Sequence, residues 1–452
     1  MFKNYTKPTF HVYSSFTNKK GGIMDFVKNS RFVLVVSLGF LVIVGYYMVR
    51  GSGPYDPVKV SLDASMPVGV ANATRTMYVI MFDAGSTGSR IHAYEFVKDN
   101  VNNKIDLKDE LFEHVKPGLS SYADDAKAGA ESLRTLVEKA KKYIPQDQWA
   151  STPQALKATA GLRLLEKHKA DNILNEVRDF MRRQPFQSVE NVVEIMGGTD
   201  EGVYSWFTIN FLKGHLANIA TTAGVIDLGG GSVQVTFIPR EGSDTKKTAP
   251  KSHLHRVPVM KRDVDLYTHS YLGLGLMSAR MQIFGRDPDA KSPTQSTSNE
   301  LHSPCIAPAI ETEWEFQGNK FTVRGTDDSN SFELCYKAAR AVVVKHKVFS
   351  PVEIRKDRPF NLISYFFDKA ADAGLIDEEK GGHLTLEDFS KAAAKLCANH
   401  DAKRPFLCMD LSYITALLRD GWRFEERTQF SLEKKIKGIE TAWTLGAAYQ
   451  LL

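Results

Sequence analysis

Residues Met81 to Phe96 read MFDAGSTGSRIHAYEF, with six turn-type residues, Ala84 to Ser89, wedged between two apolar stretches. Upstream, Thr76 to Phe82 (TMYVIMF) is an apolar run of strand length. Downstream, Ile91, Ala93 and Glu95 alternate with His92, Tyr94 and Phe96, as in a strand with two different faces. The pattern predicts a hairpin. At its tip Gly85 and Gly88 give the backbone access to unusual dihedrals, and Ser86, Thr87 and Ser89 set hydroxyls beside free N–H groups. Such a loop suits phosphate. It is not a Walker loop, which needs GxxxxGK and a following helix, and an ordinary Gly/Ser turn would use the same residues.

A second stretch has the same design. Gly224 to Phe237 reads GVIDLGGGSVQVTF: an apolar run, an acid at Asp227, a turn containing Gly229, Gly230 and Ser232, then alternating Val233, Val235 and Phe237. A DxG hairpin repeated within one chain predicts two related lobes, each giving one loop to a shared cleft. The length of 452 residues accommodates two such lobes with substantial cores. Charged residues at 25% and hydrophobic ones at 43% describe a globular protein. The net charge of +5 is small for this length, and no Lys/Arg cluster is interleaved with aromatics, so no nucleic-acid partner is expected.

Phe32 to Val49, FVLVVSLGFLVIVGYYMV, carries no charge and would span roughly 27 Å as a helix, about the thickness of an early secretory membrane. It reads as a signal anchor rather than a cleaved signal peptide. Lys3, Lys7, Lys19, Lys20, Lys28 and Arg31 precede it, which orients the bulk of the chain to the lumenal or extracellular side. Four cysteines, Cys305, Cys335, Cys397 and Cys408, fit that oxidising compartment; pairing nearest neighbours gives two bridges. Asn72-Ala73-Thr74 is a glycosylation sequon on the same side, whereas Asn4-Tyr5-Thr6 faces cytosol.

Between the loops lie two further constellations. LKATAGLRLL (Leu156 to Leu165) puts Thr159, Gly161 and Arg163 where one element ends and the next begins. GGTDEGVYSWFTINF (Gly197 to Phe211) puts Asp200 and Glu201 at the start of a helix whose apolar face includes Val203, Trp206, Phe207 and Phe211. Plain capping by Thr199 or Asp200 is the competing account of those acids.

DAGSTGSR, KATAGLR, GTDEGVYSW, DLGGGSVQ and the terminal ETAWTLGA resemble, in order, the five conserved regions of the nucleoside triphosphate diphosphohydrolase (apyrase) family. YTHSYLGLGL (Tyr267 to Leu276), FLCMDLSYITALL (Phe406 to Leu418), four cysteines and one anchor resemble its secretory-pathway nucleoside diphosphatase branch. The resemblance implies an α/β fold of two ribonuclease H-like lobes, as in actin and Hsp70, with nucleotide in the cleft. The expected layout is a cytosolic tail 1–31, a transmembrane anchor 32–49, a stem 50–76, lobe I from 77–196 and 433–452, and lobe II from 197–432. It implies a Mg²⁺ or Ca²⁺ ion held by Asp83 and Asp227 through water, with Thr159 supporting the water shell. Gly85, Ser86, Thr87, Gly88, Gly229, Gly230 and Ser232 would cradle the phosphates. Glu201 would be the base for the attacking water, oriented by Ser232 and Gln234, and Tyr365 and Phe366 would sandwich the base of the nucleotide. One departure is Val233, where relatives carry Ser or Thr.

The implied activity is hydrolysis of UDP or GDP to the monophosphate in the Golgi or endoplasmic reticulum, in support of glycosylation. The implied partners are that nucleotide, the membrane through one helix, and a second copy in a weak homo-oligomer. Alternatives are a broader triphosphate diphosphohydrolase, a nucleotide-gated protein of the actin/Hsp70 kind, and a sugar kinase. Two motifs are read as decoys. Asp377 to Asp388 resembles a calcium loop but has Gly381 at its fifth position, and His253 and His255 are expected to be solvated strand residues.

Overall fold

The computed structural model describes residues 74–452 apart from 103, 261, 287–297, 327–330 and 356–357. The anchor at 32–49 and the sequon at Asn72 lie outside the described residues. Among the described residues no helix is long and apolar enough to cross a membrane.

The first sheet contains β1 (Thr74–Ala84), β2 (Ser89–Asp99), β3 (Lys104–Val115), β4 (Pro153–Ala158) and β5 (Gln187–Ile195), in the order β3-β2-β1-β4-β5. The second contains β6 (Gly224–Leu228), β7 (Ser232–Phe237), β8 (Leu254–Val259) and β9 (Arg262–Leu272). Three later strands complete it: β13 (Phe360–Ser364), β14 (Gly382–Thr385) and β15 (Gln429–Leu432). A separate three-stranded sheet is built from β10 (Glu300–Ser303), β11 (Glu311–Phe316) and β12 (Asn319–Gly325).

Both large sheets share one arrangement around the predicted loops. β1 pairs antiparallel with β2 and parallel with β4; β6 pairs antiparallel with β7 and parallel with β13. The registers Ala84↔Ser89 and Leu228↔Val233 make each DxG stretch the tip of a tight hairpin, as predicted. In each sheet the parallel neighbour ends at the cleft beside a hydroxyl residue, Thr159 just past β4 and Ser364 at the end of β13.

The strand at 91–96 does not divide into a wet and a dry face. Ile91 and Ala93 pack with the helices Arg134–Tyr143 and Lys167–Arg182, while Tyr94 and Phe96 pack on the opposite side. Helices cover both faces of the sheet, so alternation in sequence reports two cores rather than core and solvent. The inner core is shared by the two sheets. Val79, Met81 and Tyr94 from the first and Val225, Leu266 and Ile363 from the second meet Trp206, Phe207, Trp443 and Leu445. These last four belong to the helix Gly198–Leu212 and to the C-terminal segment around the helix Thr444–Ala448. Glycine at 202 permits that seating: a Cβ there would stand 2.7 Å from the hydroxyls of both Thr236 and Thr268. The outer face of the second sheet packs Leu228, Val233, Val235 and Phe237 against the helices Leu386–Ala398 and Leu407–Ala416. Disulfides join Cys305 to Cys335 and Cys397 to Cys408 in this layer.

The two decoys resolve differently. Asp388 forms a capping box with Thr385 for the helix Leu386–Ala398, and Asp377 accepts backbone N–H bonds from Glu379 and Lys380, so both acids serve local structure. His253 is not solvated. It is 7% exposed, and its ring stacks on His269 at 3.7 Å, because the turn before β8 folds it onto β9. Burial lowers its pKa to about 4.

Candidate active site

Each hairpin tip is closed by one backbone bond: Gly85 N–H donates to the Gly88 carbonyl and Gly229 N–H to that of Ser232, both at 3.0 Å. The N–H groups of Ser86, Thr87, Gly230 and Gly231 make no backbone bond among the described residues and remain for an anion. The tips face one another. A Cβ on Gly230 would stand 2.2 Å from Ser86 Oγ, and the Tyr365 hydroxyl donates to Thr87 Oγ1 at 3.2 Å across the cleft. The expectation of unusual dihedrals is corrected, since none of Gly85, Gly88, Gly229 and Gly230 has positive φ. Space is the reason for glycine: a Cβ on Gly88 would stand 2.9 Å from the backbone carbonyl of Val115.

A cavity of about 420 Å³ lies between the tips. It is lined by Asp83, Gly85, Ser86, Thr87, Thr159, Glu201, Asp227, Gly229, Gly230, Ser232 and Tyr365, which the sequence singled out. Gly88 and Gln234 do not line it. Gly88 closes the first turn, and Gln234 acts from behind: its Nε2 lies 3.0 Å from Glu201 Oε2 and 2.8 Å from Ser232 Oγ. Phe366 is corrected. It is fully buried in the outer core of the second sheet, and the aromatic beside Tyr365 that reaches the cavity is Phe367. Val233 also points into that core, so a hydroxyl there would face away from the cleft.

Glu201 is 6% exposed. The helix that carries it is capped by the backbone of Gly197, without a side-chain cap bond, so Thr199 and Asp200 do not serve as its cap. Glu201 therefore sits inside the first turn and faces β7, whereas Asp200 is exposed. Arg163, which the sequence placed at an element boundary without a role, forms an ion pair with Glu201 Oε2. Burial pushes the Glu201 carboxyl up to about 7; Arg163 opposes this, and Asp227 and Asp83 add to it.

The two acids of the loops are held differently. Asp83 Oδ2 pairs with Arg90 Nη1 at 3.1 Å, while its Oδ1 is buried without a partner. Asp227 accepts from Ser205 Oγ and Ser364 Oγ, each at 2.7 Å, one on each oxygen. Burial raises both pKa values; the bonds from Arg90 and from the two serines oppose it. Ser364 makes its bond from φ 61° and ψ −127°, a backbone region that side-chain-bearing residues avoid. The buried carboxylates Asp83, Glu201, Asp227 and Glu440 line one polar cavity, with Arg90 and Arg163 as nearby guanidiniums, and Asp83 Oδ1 is orphaned. The donor set is all oxygen and fits a hydrated hard cation.

Two like sheets, each presenting an acid-bearing Gly/Ser hairpin to one cleft beside a buried carboxylate, define an α/β protein whose cleft suits phosphate groups. The GDA1/CD39 (nucleoside phosphatase) family model matches residues 70–452, and the chain belongs to that family. It is 43% identical over 396 residues to human "Nucleoside diphosphate phosphatase ENTPD5", covering 86% of this chain and 90% of that one. To mouse "Ectonucleoside triphosphate diphosphohydrolase 6" it is 41% identical over 393 residues, covering 86% and 84%. The fold is similar to that of a crystal structure of nucleoside triphosphate hydrolases from Neospora caninum. There the TM-score is 0.59 at 14% identity, covering 83% of this chain and 92% of that one.

Proposed function

We infer that this protein hydrolyses nucleoside diphosphates, with UDP and GDP as its substrates, to the monophosphate and inorganic phosphate. The observation that carries the reading is the meeting of the two hairpin tips around one cavity, with Glu201 buried at its wall. Free N–H groups of both tips and the hydroxyls of Ser86, Thr87 and Ser232 bind the terminal phosphate and hold it in line for attack. Glu201 takes a proton from the attacking water, Gln234 and Ser232 fix the carboxylate and the water, and Arg163 opposes the upward push that burial gives the carboxyl's pKa. This division of labour suits phosphoryl transfer, which needs positioning and charge neutralisation more than covalent help. Asp83 and Asp227, with Thr159 beside them, would hold a Mg²⁺ or Ca²⁺ ion, which when bound would neutralise phosphate charge. Tyr365, with Phe367 in place of Phe366, lies where the cavity would receive the nucleoside.

The apolar run at 32–49 supports a single-pass membrane anchor with the catalytic mass in the Golgi or endoplasmic reticulum lumen. Asn72 is then a glycosylation site, and boundaries at 77–196 with 433–452 and at 197–432 describe the lobes. Self-association, where it occurs, is weak. A phosphate-release panel of UDP, GDP, ADP and ATP with the full-length protein, in Mg²⁺ and in Ca²⁺, tests the substrate class. Fastest release from UDP or GDP is expected, and turnover of ATP equal to or above every diphosphate would overturn it.

A further inference from the structure

One side chain at the cleft is built for contact with something the mechanism above does not supply. His92 is fully buried, yet it lines the same cavity as Asp83. Its Nδ1 lies 2.6 Å from Glu110 Oε1, and the other carboxylate oxygen of Glu110 accepts the N–H of Glu440 at 2.7 Å. Glu110 is thus committed as an acceptor on both oxygens, so the proton on the His92 ring sits at Nδ1. The ring cannot swing, because it is stacked on Tyr94 at 5.8 Å and tilted against Phe112 at 4.9 Å. Its Nε2 has no hydrogen-bond partner. The registers Met81↔His92 and Asp83↔Arg90 put His92 and Asp83 on one face of the sheet as diagonal neighbours, roughly 7–8 Å apart. Two buried atoms without hydrogen-bond partners, His92 Nε2 and Asp83 Oδ1, therefore face one polar cavity.

Leaving a buried polar atom without a partner is costly, so a histidine nitrogen aimed at a polar cavity asks for a ligand there. A carboxylate fixing one ring nitrogen while the other points at a cation site is how proteins orient histidines that serve metals. We propose that His92, oriented by Glu110, is a positioning residue for the divalent ion of the cleft: its Nε2 accepts a hydrogen bond from a water in the ion's shell, next to Asp83. A water bridge rather than a direct bond follows from the hardness of Mg²⁺ and Ca²⁺, which prefer oxygen and, for Mg²⁺, keep several waters. The inference rests on the reading that Asp83 helps to hold that ion.

The test uses Mn²⁺ as the probe, bound to the full-length protein labelled with ¹⁵N-histidine. Electron–nuclear double resonance should detect one histidine nitrogen about 4–5 Å from the ion, one metal–oxygen bond plus one hydrogen bond away. His92→Phe keeps an aromatic ring between Tyr94 and Phe112. It should abolish that signal and weaken Mn²⁺ binding, read from the free-ion resonance, by roughly 10- to 100-fold. Asp83→Asn is the control for the underlying reading. If it weakens Mn²⁺ binding while folded His92→Phe does not, the role of His92 is overturned and the site stands. If neither variant matters, both readings fail. Absence of any histidine nitrogen near the ion in the unaltered protein, or a directly bonded one, overturns the water bridge even where His92→Phe does not fold.

Discussion

At the scale of single residues, the proposed chemistry rests on Glu201 and Arg163. A buried carboxyl with pKa near 7 is half ionised at neutral pH, so kcat/KM should rise with pH and level off above about 7 as the base loses its proton. Removing the opposing charge in Arg163→Gln leaves burial, Asp227 and Asp83 to act alone, and this limb should move up by roughly one unit or more; Arg163→Lys should keep it near its original place. A pH–rate profile on the three proteins measures the shift, and an unmoved limb in Arg163→Gln would separate Arg163 from the base. Glu201→Gln should lower turnover by roughly two to four orders of magnitude while nucleotide still binds, because size is kept and the base is lost. Equilibrium binding of a non-hydrolysable diphosphate analogue checks the second half. Asp83, Glu201 and Asp227 were readable in the sequence because each sits in a short, patterned stretch. Ser205, Ser364, Glu110 and the role of Arg163 were not, because their partners lie 18 to 137 residues away and are chosen by strand register.

At the scale of elements, the end of β13 stores strain in order to hold Asp227. Ser364 sits in a region that costs on the order of 1–3 kcal/mol for a residue with a Cβ. Ser364→Gly and Ser364→Ala both lose the Oγ bond to Asp227 and should lower kcat/KM, but the glycine variant, free of the strain, should be the more stable of the two by about 1 kcal/mol. Thermal melts paired with initial rates decide the matter, and a Ser364→Gly variant no more stable than Ser364→Ala would contradict the argument. The hairpins themselves were legible, since an apolar run, a DxG turn and a second apolar run leave few alternatives. The reason for their glycines was not, because crowding between Gly230 and Ser86 depends on two loops 144 residues apart. The helix start was legible, with Asp200 and Glu201 in its first turn; the competing capping account fails because the chain enters the helix at Gly197, ahead of Thr199 and Asp200.

At the scale of the whole molecule, the repeated loops correctly pointed to two like sheets, and the inner layer between them explains why both faces of β2 are buried. Composition could not show that layer, which joins residues as distant as Tyr94 and Thr444 through a 2.8 Å hydrogen bond. The disulfides belong to the outer layer of the second sheet, away from the cavity. The chain-entropy model gives about 3–4 kcal/mol for the bridge closing the longer loop and about 3 for the shorter one. Replacing Cys305 and Cys335 together by Ala should lower Tm and leave kcat at 25 °C within about twofold for the folded fraction; a large loss of kcat at full folding would tie the bridge to the cleft.

The central claim is that water, deprotonated by Glu201, attacks the terminal phosphorus of a diphosphate held by two hairpin tips. A single turnover of UDP in ¹⁸O-labelled water, followed by mass analysis of phosphate, UMP and peptides, tests it most directly. The label should appear once in inorganic phosphate and nowhere else. Label in UMP would place the attack on the inner phosphorus, and label in the carboxylate of Asp83 or Asp227 would mean an acyl-phosphate intermediate; either result would contradict the mechanism.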